Sequence, residues 1–133
     1  MKMIVDTCVW SAALRRGPAP GDRRTRVLSE LIRDSRVQML GPIRQEILSG
    51  IREESQFENM KKVLSAFDDL PLDTTDYEMA AHYYNVCARK GIQGSNTDFL
   101  ICAASARRDL PVYTFDKDFV LFQKFIPILL FQG

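Results

Sequence analysis

Lys2-Met3-Ile4-Val5-Asp6-Thr7 is a short apolar run cut off by an acid. Residues 2–5 read as a buried strand, apolar without in/out alternation, as in a parallel sheet covered on both faces. Asp6 and Thr7 then open a helical segment, Cys8 to Leu14. A strand thus runs straight into a helix with a carboxylate at the junction. The pattern returns further along. Val37 to Leu40 reads as a second strand, stopped by Gly41-Pro42, where the proline suits a first helical turn. The helix after it carries Glu46 and runs to about Ser49-Gly50. Pro111 to Thr114 reads as a third strand with Asp116 just beyond it, followed by a short helix from about Asp118 to Phe122. Ile128 to Phe131 reads as a last strand.

Helical spacing fills the intervals. Val27, Leu28, Leu31 and Ile32 share one side of a helix over 23–34, and Phe57, Met60, Val63, Leu64 and Phe67 do so over 55–68. Leu70-Pro71-Leu72 reads as a short extended piece. Thr75 is expected to cap a long helix that ends at Arg89, before Lys90-Gly91. Ser95 to Thr97 start the next helix, which carries Asp98 and the apolar run to Ala106. Gly17-Pro18-Ala19-Pro20-Gly21 is a loop, because proline and glycine both break helices. Strands alternating with helices imply an α/β fold with a short central parallel sheet and helices on both faces. With 133 residues, and no repeat or low-complexity tract, residues 1–133 are expected to form one domain.

The composition excludes several classes. An apolar fraction of 46% is ordinary for a soluble protein, and no apolar stretch reaches the ~18 residues of a membrane span. The early Asp6 argues against a signal peptide. Three cysteines, Cys8, Cys87 and Cys102, lack any regular spacing, so they read as buried free thiols of a reducing compartment, and a cytoplasmic location is expected. The net charge is only +1, yet Arg15, Arg16, Arg23, Arg24 and Arg26 crowd into a stretch whose sole acid is Asp22. Such a run is ordinarily a solvated face; beside a cluster of acids it would be a place for phosphates.

Ligands of open parallel sheets bind outside the carboxyl ends of the strands. Asp6 and Asp116 fall at such ends, Glu46 lies one turn into the helix after the second strand, and Asp98 lies in the first turn of the helix before the third. Each has an ordinary explanation. Asp6 can cap a helix. Ser95-x-x-Asp98 is a capping-box pattern. Glu46 can be a surface residue, and Asp116 and Asp118 can be turn residues. Together, those explanations require four coincidences at one sheet edge, which favours a carboxylate cluster. Acids held that close repel one another unless a cation intervenes. Oxygen donors select Mg²⁺ or Mn²⁺, which can acidify a water, orient a phosphodiester and neutralise a leaving oxygen. Thr7 and Thr114 stand beside the acids and can orient them. Trp10 and Phe119 read as core.

Other chemistries lack their residues. His82 is the only histidine and sits within a helix, so acid–base catalysis by paired histidines is ruled out. There is no Gly-x-Ser-x-Gly elbow and no Gly-x-x-x-x-Gly-Lys phosphate loop.

The segments Ile4-Val5-Asp6-Thr7, Gly41-Pro42-Ile43-Arg44-Gln45-Glu46-Ile47-Leu48-Ser49-Gly50, Asn96-Thr97-Asp98-Phe99-Leu100-Ile101-Cys102-Ala103-Ala104 and Thr114-Phe115-Asp116-Lys117-Asp118-Phe119, in that order, resemble PIN-domain ribonucleases and specifically the VapC-type toxins of prokaryotic toxin–antitoxin pairs. The resemblance covers nearly the whole chain. It implies a three-layer α/β/α sandwich and RNA cleavage with Mg²⁺ or Mn²⁺. It also implies homodimerisation and inhibition by a cognate antitoxin protein. By motif, Asp6, Glu46 and Asp98 carry over as catalytic, metal-holding residues. The fourth is Asp116 or Asp118; Asp116 is preferred because it is nearer the strand end. Two rival readings are a catalytically silent PIN fold that only binds RNA or a partner, and a phosphoacceptor receiver domain. The second wants paired early acids, and Asp6 has no acidic neighbour before Asp22.

Overall fold

The computed structural model describes residues 1–15 and 23–132, the side chain of Arg15 excepted. The glycine- and proline-rich stretch 17–21, Arg16 and Asp22 lie outside them. Among the described residues the elements run β1 (Met3–Val5), α1 (Thr7–Arg15), α2 (Arg23–Arg33), β2 (Val37–Gln38), α3 (Gly41–Leu48), α4 (Glu54–Leu64), α5 (Thr74–Arg89), α6 (Asn96–Arg108), β3 (Val112–Tyr113) and α7 (Asp118–Gln123).

β1 is the middle strand of a parallel sheet ordered β2-β1-β3. Met3, Ile4 and Val5 are all 0% exposed. Successive side chains point to opposite faces, so helices must cover both, and the fold is a three-layer α/β/α sandwich. The sheet is widened by single parallel bridges, Met39 to Asp69 on one side and Val112 to Leu130 on the other.

Register positions the site. Ile4 pairs with Val112 and Val5 with Tyr113, and the Asp6 N–H donates to the Tyr113 carbonyl at 2.9 Å. The next step along both strands sets Asp6 abreast of Thr114. The core beneath is aromatic and aliphatic: Trp10, Phe99, Phe119 and Phe122 are at most 1% exposed. The Trp10 indole N–H donates to the Val5 carbonyl at 3.1 Å, which pins α1 under the end of β1. Gly94, just before α6, is required by packing, because a Cβ there would lie 2.7 Å from Phe122 Cζ and 2.9 Å from Phe99 Cε2.

Three expectations change. Ile128 to Phe131 makes one bridge, not a strand: Pro127 has no N–H, and the Ile128 N–H turns back to the Ile126 carbonyl. The long helix is capped by Asp73, not Thr75. Asp73 accepts the Asp76 N–H and Asp76 accepts the Asp73 N–H, a reciprocal capping box that starts the helix at Thr74. The helix expected over 55–68 stops at Leu64, because Arg44 takes its terminal carbonyls, donating to Leu64 O at 2.9 Å and also to Phe67 O.

Candidate metal centre

A cavity of about 670 Å³ opens at the carboxyl ends of β1 and β3. Asp6, Glu46, Asp98 and Asp116 all line it, along with Thr7, Cys8 and Thr97. Four segments far apart in sequence thus deliver one carboxylate each to one place.

Each acid is tethered by its own device. Asp6 is 6% exposed; its Oδ1 accepts the Thr7 N–H at 2.8 Å and its Oδ2 accepts the Thr114 hydroxyl at 2.8 Å. Glu46 is an exposed side chain on α3, and Thr7 Oγ1 donates to its Oε1 at 2.6 Å. Asp98 is held by a capping box: its Oδ2 accepts the Ser95 N–H at 2.9 Å, and its own N–H donates to Ser95 Oγ at 3.0 Å. Asp116 donates its N–H to Thr114 Oγ1 at 3.0 Å and accepts the Asp118 N–H at 2.9 Å. Thr114 therefore links the acid after β1 to the acid after β3 through one hydroxyl.

The charges feel one another. Burial pushes the Asp6 carboxyl up from its ordinary range, and the negative charge of Asp98 adds to this. Burial likewise raises Asp98, helped by Asp116 and Glu46. Among the described residues, no three His, Cys, Asp or Glu side chains stand close enough together to ligate one ion in this arrangement. The reason is visible in the tethers, since each carboxylate is turned toward a protein N–H or O–H. The four acids nevertheless offer oxygen donors alone, which suits a hard divalent cation. Such an ion would relieve the repulsion that adds to burial in raising Asp6 and Asp98.

The sequence profile of the PIN domain matches residues 3–124. The chain belongs to the PIN-domain family. This PIN domain is 29% identical over 120 residues to VapC ribonuclease Mb1587 of Mycobacterium bovis and to ribonuclease VapC11 of Mycobacterium tuberculosis, spanning 88% of this chain and 88% of each relative. Its fold matches FitAcB from Neisseria gonorrhoeae at a TM-score of 0.76 and 20% identity, over 98% of this chain and 96% of that one. It matches VapBC2 from Rickettsia felis, solved bound to a DNA fragment from their promoter, at 0.75 and 17%, with the same coverage. VapBC-5 from M. tuberculosis, a member of the VapBC family of toxin–antitoxin systems, matches at 0.70 and 22%, over 99% of this chain and 98% of that one.

The four expected acids line the cavity of this PIN domain, and Asp118 does not: it is exposed and gives only its backbone N–H to Asp116. His82 is exposed on α5 and takes no part. Thr114, expected beside the acids, bonds both Asp6 and the backbone of Asp116, a double role that a threonine in a strand does not by itself reveal. Cys8 was expected to be a buried thiol. It is instead half-buried and lines the cavity. Its place two residues after Asp6, in the first turn of α1, was the available signal. Cys87 and Cys102 are buried free thiols.

Proposed function

We propose that this PIN domain is a divalent-metal-dependent endoribonuclease, the toxin of a toxin–antitoxin pair, built as one domain over residues 1–133. The observation that carries the reading is the meeting of Asp6, Glu46, Asp98 and Asp116 on one open cavity at the strand ends. The ribonuclease names of the relatives and the toxin–antitoxin complexes among its structural neighbours support it. The four carboxylates would hold Mg²⁺ or Mn²⁺. When bound, that ion supplies charge neutralisation and polarisation for phosphodiester hydrolysis.

The chain's own residues supply orientation. Thr7 aims Glu46, Thr114 holds Asp6 and the backbone of Asp116, and Ser95 holds Asp98. The Arg24 guanidinium lies 4.6 Å from the centre of the Phe115 ring. Phe115 separates Thr114 from Asp116, so one arginine of the basic run packs on the segment that carries Asp116, while Arg23 and Arg26 line a separate cavity with Glu30 and Asp34. The basic residues of α2 are the proposed contact for an RNA backbone reaching past the acidic cavity. A cognate antitoxin and a second copy of the chain are the proposed protein partners. Among the described residues no helix is long and apolar enough to cross a membrane. With its free thiols, the protein is assigned to the cytoplasm.

The test is cleavage of a mixed RNA pool with Mn²⁺ and with excess chelator, mapped to the nucleotide. Internal cuts that vanish in chelator are expected. Equal cutting in both would sink the metal mechanism. Mn²⁺ binding without any cleavage would instead make the domain a silent RNA- or partner-binding module.

A further inference from the structure

We propose that Cys8 is a positioning residue of this site, holding the Asp6 carboxylate and the turn that carries Asp116 in fixed relation; the inference rests on the metal-nuclease reading above. The thiol stands where three partners converge. Cys8 Sγ is 3.6 Å from Asp6 Oδ2, as donor, and 3.5 Å from Thr114 Oγ1. It accepts the Phe115 N–H at 3.3 Å. The Asp116 N–H goes to Thr114 Oγ1 at 3.0 Å, and that hydroxyl donates to Asp6 Oδ2 at 2.8 Å. Two consecutive backbone amides after β3 are therefore pinned to two side chains, and both side chains reach the same oxygen of Asp6.

The hydrogens balance. Thr114 has one hydroxyl proton and gives it to Asp6. The thiol has one proton for Asp6, and its sulfur is left to accept from Phe115. A cysteine that only filled space would need no such partners, and Cys8 lies at the cavity wall, half-buried. Sulfur also fits the spacing. Its bonds span 3.3 to 3.6 Å, ordinary lengths for the larger sulfur atom and close enough for a serine hydroxyl to take over after a shift of a few tenths of an ångström, so the start of α1 and the end of β3 are linked through it. The Asp6–Asp116 geometry thereby depends on a side chain that ligates nothing itself.

Cys8→Ala and Cys8→Ser separate the roles, because the two variants leave nearly the same gap and differ only in a polar hydrogen-bonding group. Cys8→Ala is expected to weaken Mn²⁺ binding, measured by calorimetry, about fivefold. It should lower kcat for RNA cleavage about tenfold, the low end for a lost partner of a ligand, with KM within about twofold. Cys8→Ser should recover most of both. Wild-type Mn²⁺ affinity and kcat in Cys8→Ala, or equal losses in the two variants, would overturn the proposal. Amide exchange in the wild type gives a reading that needs no variant: the Phe115 N–H should be protected, and fast exchange there overturns the proposal too. Wild-type protein that neither binds Mn²⁺ nor cuts RNA overturns the functional reading, and this inference with it. Active wild type with an indifferent Cys8→Ala overturns this inference alone.

Discussion

Asp6→Asn should abolish RNA cleavage and yet make the metal-free protein melt higher. Asp6 is 6% exposed and carries its charge beside Asp98, with burial the larger reason that its carboxyl is pushed up. An asparagine keeps the two short hydrogen bonds: its carbonyl oxygen can accept the Thr7 N–H, and its amide can face Thr114 Oγ1, whose hydroxyl can rotate, while only the longer Cys8 thiol contact to Oδ2 loses its acceptor. Asparagine also caps a helix as well as aspartate does. The variant therefore loses a desolvated charge and little else. The effective cost of burying an ion is several kcal/mol, offset here by two charge-assisted bonds that each exceed their neutral counterparts by about 1 kcal/mol. A net gain of about 1–2 kcal/mol follows. Unfolding entropy of about 2.1 cal/mol/K per residue gives about 0.28 kcal/mol/K for 133 residues, so Tm should rise about 4–7 °C. The sign with pH is fixed. A carboxyl raised in the folded state weakens folding as pH climbs through its folded pKa, so the gap between variant and wild type is widest at neutral pH and closes below about pH 4. Differential scanning calorimetry in chelator, paired with an RNA cleavage assay in Mn²⁺, measures both halves. Mn²⁺ at 100 times its Kd should raise the wild-type Tm by about 10 °C, from about 2.7 kcal/mol of linkage, and leave the variant nearly unmoved. A variant that melts lower than wild type in chelator at neutral pH, or that still cuts RNA, refutes the reasoning.

Thr7→Val removes the 2.6 Å bond to Glu46 Oε1, and cleavage should fall about 10-fold or more while Thr7→Ser stays near wild type, the range for a lost partner of a metal ligand; single-turnover kinetics decide it. Asp76 is 0% exposed and takes 2.8 Å bonds from both Arg107 and Arg108. Arg108 above all holds its carboxyl well below the usual range. Its stabilisation is present above an unfolded pKa of about 3.9 and is lost as pH falls below that value. Asp76→Asn should cost about 2–4 kcal/mol in urea unfolding, less than a fully buried pair because the arginine side chains stay 29% and 24% exposed, without changing kcat of the folded fraction. Arg24→Ala with Arg26→Ala should raise KM for RNA and reduce the slope of log KM against log salt by about 1–2, with kcat unchanged.

The strand-to-helix junctions at Asp6 and Gly41-Pro42 were legible because a short apolar run ending in a cap-forming residue has few other meanings. The choice between Asp116 and Asp118 was left open by sequence, with Asp116 preferred as nearer the strand end, and of the two only Asp116 lines the cavity. Ile128 to Phe131 misled because an apolar run does not report how many of its backbone groups find ladder partners: the Leu129 carbonyl and the Phe131 N–H reach Val112, while the Ile128 N–H turns back to Ile126. Thr75 misled because Asp73 forms a complete reciprocal box with Asp76, and no propensity scale contains that reciprocity. The end of α4 at Leu64 depended on Arg44, twenty residues earlier, reaching its carbonyls. Such long-range capping leaves no local trace. Cys8 escaped notice because thiols are most often buried filler, and its polar partners come from the far end of the chain.

Capping and clustering began as competing explanations of the same acids, and the geometry makes them one. Asp6 accepts an N–H at the start of α1, Asp98 accepts one at the start of α6, and Asp116 accepts one at the start of α7. α1 and α6 place aligned peptide dipoles with their positive ends toward these carboxylates, each worth about 0.3–1 kcal/mol. Like charges on one cavity are therefore partly offset by the helices that begin there, and the site can fold before any ion arrives. Glu46 is the exception, held in mid-helix by the Thr7 hydroxyl alone. It is the acid with the least structural duty and the most freedom to move. Replacing it should therefore disturb folding least, while Asp98→Ala strips a cap as well as a charge and loses about 1 kcal/mol of helix stability in addition.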